Sequence, residues 1–67
     1  MTDSSALRNA VKKSGLKYFK IAGEMGISPY ALQKKIDNET EFKASEIVKL
    51  STLLSLTESE RSEIFFA

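Results

Sequence analysis

A chain of 67 residues makes one domain at most. A domain this short buries only about 60% of its unfolded surface, which leaves little room for a deep catalytic pocket. A composition of 42% hydrophobic and 28% charged residues excludes a disordered tail, and no apolar run approaches the length of a membrane span. Cysteine and histidine are both absent. That removes disulfides, thiolate metal sites and the usual general base at neutral pH, so neither metal nor cofactor is expected. The polar start MTDSSALRNA lacks a signal-peptide core, and a cytoplasmic home is expected.

Net charge is +1, but the charges are segregated along the chain. Between Ser4 and Ile36 seven cations face the single acid Glu24, whereas from Asp37 onward three cations face seven acids. A basic first half within a nearly neutral whole suggests a face for a polyanion.

Apolar residues recur at helical spacing in five segments, and none alternates like a strand. The spacing predicts helices over 5–14, 17–25, 28–36, 44–54 and 58–65, an all-α domain. In the first, Leu7, Ala10 and Val11 share a face. Gly15 supplies a left-handed residue past its end, with Leu16 placed to touch Val11. In the second, Tyr18, Ile21, Ala22 and Met25 fall on one face, and Gly26 ends it. The third has the clearest start: Ser28 as N-cap, Pro29 at the first helical position, and Ile27 able to staple onto Leu32. Leu32 and Ile36 point inward. Residues 37–41 read as a loop. The fourth helix follows Phe42 and carries Ile47, Leu50, Leu53 and Leu54. Thr57 opens the fifth through a capping box with Glu60. Ile64, Phe65 and Phe66 read most simply as core packed on the first helix. If one phenylalanine cannot fit inside, Phe66 becomes a possible dimer contact.

Helices two and three, joined by Gly26-Ile27-Ser28, must meet at a steep angle, which is a helix-turn-helix. Ala22 and Gly23 are the small residues expected where the backbones approach, and Gly26 is the residue for positive φ. Rotation by about 100° per residue places Tyr30 and Lys34 opposite the inward face of the third helix, flanked by Gln33. Gln pairs well with adenine, and Lys donates to guanine or to phosphate.

The stretch FKIAGEMGISPYALQKKID resembles the helix-turn-helix of the phage repressor and Cro superfamily, the lambda-repressor-like or XRE-type domains. The later EFKASEIVKLSTLLSLTESERSEIFF resembles the remainder of small phage-encoded members. The resemblance implies a compact five-helix DNA-binding domain with its third helix in the major groove, and a homodimer on a near-palindromic operator. By matching positions it implies base contacts from Pro29, Tyr30, Gln33 and Lys34. Phosphate contacts would come from Lys17, Tyr18, Ser28, Asn38 and Lys43. Lys17 and Lys43 stand where relatives place capping Ser or Thr, and Asn38 where Gly is frequent. With the chain closing after the fifth helix, the expectation is a Cro-like regulator without a sensor domain. It would act in the cytoplasm of a bacterial or phage-infected cell. The competing reading is a protein-interaction module, an antirepressor or adaptor using the same bundle. An enzyme is the class least supported.

Overall fold

The computed structural model describes residues 1–66, which form five helices: α1 (Ser4–Ser14), α2 (Tyr18–Met25), α3 (Pro29–Ile36), α4 (Ala44–Leu53) and α5 (Glu58–Phe65). No strand occurs among the described residues. Three of the five helices start at a capping side chain. Asp3 caps α1 by accepting from the Ala6 N–H at 3.0 Å. Ser28 caps α3 by accepting from the Ala31 N–H at 3.0 Å, with Pro29 at the first helical position. Thr57 and Glu60 close a reciprocal box at α5, with bonds of 3.1 and 2.8 Å. Lys17 and Lys43 occupy the N-cap positions of α2 and α4. Neither ammonium can accept a hydrogen bond. At α4 Glu46 supplies half of a box by accepting from the Lys43 N–H at 2.8 Å.

The helix ends share one device. A residue in the left-handed region follows each of α1 to α4: Gly15, Gly26, Asn38 and Ser55. The next N–H then reaches back five residues, from Ile27 to Ala22 O, Glu39 to Lys34 O and Leu56 to Ser51 O. This satisfies a carbonyl that the helix leaves orphaned. At α1 the bond is relayed. The Ser14 hydroxyl accepts from the Leu16 N–H at 3.1 Å and donates to Val11 O at 2.6 Å.

Leu7, Val11, Ile21, Ala22, Met25, Leu32, Ile36, Leu50, Leu54, Ile64 and Phe65 make one buried core. The helix α2 packs on α3 and α4, and α1 packs on α3 and α5. The rings of Phe42 and Phe65 meet edge to face at 5.4 Å, closing the core beneath the loop before α4. Two expectations are corrected. Ala22 is fully buried, but a methyl built on Gly23 would meet no atom within 4 Å, so Gly23 has no part in a close helix approach. Of the terminal pair, Phe65 is buried while Phe66 stays 66% exposed, because α5 turns only its inner face to α1.

Candidate functional site

The turn between α2 and α3 begins at Gly26, whose φ of 72° is left-handed. Ala has no comfortable place there, whereas Gly adopts it freely. The two helices are therefore separate rods packed on one another rather than one continuous rod. Burial of Leu32 and Ile36 fixes how α3 is rotated, and this decides what it shows outward. Pro29, Tyr30 and Gln33 are exposed, Tyr30 at 70% of its surface. Lys34 is half-buried, with its ammonium 5.2 Å from the centroid of the Tyr30 ring. One turn of helix separates the pair, so ring and cation brace each other at a strength of about 0.5–1 kcal/mol. The outward face of α3 thus offers an amide, a phenol and a braced cation, and none of the five helices covers it.

The N-termini of α2, α3 and α4 carry different chemistry. Ser28 is exposed, and its hydroxyl takes the Ala31 N–H. Since Pro29 has no N–H, fewer backbone donors remain at the start of α3 than a bare helix end would offer. Lys17 and Lys43 are exposed and make no ion pair among the described residues. Tyr18 is half-buried, its ring resting on the core.

Asn38 is placed for another task than a phosphate contact. Its amide donates to Thr2 O at 2.6 Å and to Ser4 Oγ at 3.1 Å, and accepts from the Thr2 N–H at 3.2 Å. Both amide protons are thereby used within the molecule. The Ser4 hydroxyl donates in turn to Ile36 O at 2.5 Å, and Arg8 pairs with Asp37. The first residues of the chain therefore clamp the C-terminal end of α3.

A second fastening joins α3 to α4. Lys35 Nζ lies 3.1 Å from Glu46 Oε1 and donates to Glu41 O at 3.0 Å. Both side chains are largely buried, at 14% and 12% exposure. Burial pushes the Glu46 carboxyl up. The Lys43 N–H and the Lys35 ammonium, with the charge of Lys43, outweigh it and hold the group below its ordinary 4.5. Glu60 is also held down, by the Thr57 N–H first and then by the Thr57 hydroxyl. Sequence reasoning missed this buckle because Lys35 and Glu46 lie on different helices with a loop between them. It also missed the 80% exposed Phe19 on the outer side of α2, for which periodicity gave no partner.

The described residues hold no group of three or more carboxylates spaced to bind a metal ion, and no helix is long and apolar enough to cross a membrane. Compared with known proteins, the chain matches no family model, no curated protein and no solved structure.

Proposed function

We propose that this chain binds double-stranded DNA by laying the outward face of α3 in the major groove, as a Cro-like transcriptional regulator of the lambda-repressor-like class. The observation that carries the reading is the exposure of Tyr30 and Gln33, with half-buried Lys34 set against the Tyr30 ring, on a short helix held in a fixed rotation. That helix is anchored at its start by the left-handed turn at Gly26 and at its end by two separate fastenings. Rigid presentation matters because base readout needs donors and acceptors placed to within fractions of an ångström. Gln33 would read adenine through its amide. Lys34 would donate to guanine, with Tyr30 holding it forward and offering a ring to a thymine methyl. Pro29 would meet the base edges by contact alone. Lys17, Lys43, Ser28 and the Tyr18 hydroxyl would grip phosphates on either side.

Such a small readout surface gives weak binding by one chain, so two chains on near-palindromic half-sites about one helical turn apart are expected. Occupying an operator and excluding polymerase is the simplest regulatory outcome, in the cytoplasm of a bacterial or phage-infected cell. The test begins with retention on non-specific duplex across a salt series, where log affinity should fall linearly with log salt. Duplexes selected from a random pool would then show two inverted half-sites. Gln33→Ala should relax one position in each and weaken binding there by about 1–3 kcal/mol. A chain that leaves the duplex unretained at low salt is not a DNA-binding protein, and the protein-interaction reading replaces this one.

A further inference from the structure

The helix α3 is eight residues long, and an isolated helix shorter than about 12–15 residues is marginal in water. Gln33 and Lys34 lie in its last turn. The firmness of that turn depends on the carbonyls at the helix end, which no further helical turn satisfies. Gln33 O accepts from the Asp37 N–H and Lys34 O from the Glu39 N–H, each at 2.9 Å, and Lys35 O accepts from the Asn38 N–H at 3.2 Å. Ile36 O, the last carbonyl of α3, accepts instead from a side chain of another helix, the Ser4 hydroxyl at 2.5 Å.

Ser4 is the first residue of α1 and is half-buried. Its hydroxyl is directed by its neighbours. The Asn38 amide donates to Ser4 Oγ at 3.1 Å, which leaves the hydroxyl proton to Ile36 O. Asp3 beside it is held twice, its carboxylate capping α1 and its N–H donating to Ile64 O at 2.7 Å near the end of α5. Residues 2–4 thus gather the ends of α1, α3 and α5 at one point. The bonds between Asn38 and Thr2 lie in solvent, where water competes for both groups, whereas the bond of Ser4 to Ile36 O is half-buried. A carbonyl away from water loses more when its donor is removed, so Ser4 carries the most weight in this clamp.

We infer that Ser4 is a positioning residue for base readout. By holding Ile36 O it keeps the last turn of α3 closed, and so keeps Gln33 and Lys34 at a fixed angle to the duplex. This role rests on the DNA reading, whereas the brace itself requires no DNA. Ser4 is uncharged and its hydroxyl is spent within the molecule, so removing it leaves the attraction to phosphates unaltered. What suffers is discrimination between base pairs, because only base-edge contacts demand a precisely held side chain.

The test compares wild type with Ser4→Ala and Ser4→Thr as full chains. Without DNA, ¹⁵N relaxation should give amide order parameters near 0.85 at residues 33–38 of wild type, falling toward about 0.6 in Ser4→Ala. Those of α2 and α4 should stay level, with helical circular dichroism unchanged. On DNA, affinity for a selected duplex relative to a random one should fall roughly fivefold in Ser4→Ala, the worth of one hydrogen bond. The salt slope on random duplex should not move, which separates lost positioning from lost phosphate contact or lost fold. Ser4→Thr keeps the hydroxyl and should restore both readouts. Order parameters that Ser4→Ala leaves untouched overturn the inference, as does an unchanged affinity ratio. So does a Ser4→Thr chain that behaves like Ser4→Ala, since the hydroxyl would then not be the acting group. A wild-type chain that no duplex retains refutes the DNA reading and the readout role with it, while the order parameters alone decide the brace.

Discussion

A methyl group added at Gly23 would point into open solvent, since no atom lies within 4 Å of its position. Its φ is not in the left-handed region, unlike those of Gly15 and Gly26. Glycine in an exposed helix interior is about 0.5–1 kcal/mol worse than alanine because of its greater backbone freedom when unfolded. Gly23→Ala is therefore expected to raise stability by that amount. In a domain this small each kcal/mol moves the thermal midpoint by roughly 4–8 °C. A lowered midpoint would show that another part of the fold does approach Gly23 closely in the free molecule. Asn38 shows the opposite case, a residue with two tasks at once. Its φ of 64° ends α3, and its amide holds Thr2 and Ser4. Glycine there would keep the first task and lose the second.

At the level of elements, the helix ends and the links between helices have different origins. The buckle of Lys35 with Glu46 binds the end of α3 to the start of α4 through two largely buried charges. Because the Glu46 carboxyl is held below its ordinary value in the folded chain, its contribution is complete above the unfolded value. That contribution disappears as pH falls through the lowered folded value. Stability should thus be level near neutrality and drop on the acid side, with Glu60 adding to the same limb. Denaturant unfolding of Glu46→Gln across acid pH should give a shallower fall than wild type. Identical acid limbs for the two chains would show that the buckle is idle in solution.

The sequence also shows why some of this was legible and some was not. Caps at Ser28 and Thr57 and turns at Gly15 and Gly26 depend on residues a few positions apart, and periodicity then fixes the buried faces of α2 and α3. The clamp of Asn38 on Thr2 spans 36 positions, and that of Arg8 on Asp37 spans 29. No local rule reaches so far. The choice between Phe65 and Phe66 fails for a related reason: neighbours on a helix end are separated only by the body they pack against.

In the whole molecule, folding ties the basic first half of the chain to the acidic second half at two places. Arg8 pairs with Asp37 and Lys35 with Glu46, each joining a cation of the first half to an acid of the second. Lys20 sits 3.6 Å from Glu24 with both groups in solvent, a pair of little energetic weight. Lys12, Lys13, Lys17 and Lys34 of the first half enter no such pair among the described residues. What stays uncompensated near the start and middle of the fold includes Lys17 and Lys43, which stand at N-cap positions, and Lys34 on α3.

Those two lysines decide between stability and phosphate binding. A cap-forming side chain at such a position is worth about 1 kcal/mol, and neither lysine supplies it. Serine at position 43 would complete the box that Glu46 already half forms. The double substitution Lys17→Ser with Lys43→Ser should therefore raise the thermal midpoint. If the DNA reading holds, the same change frees two phosphates from their lysines. The slope of log affinity against log salt then becomes shallower by about one for each phosphate freed. Stability and DNA affinity would move in opposite directions in a single protein. A general unravelling of the fold cannot produce that pattern. A salt slope equal to that of wild type, in a variant that has gained stability, would leave both lysines as ordinary surface charges.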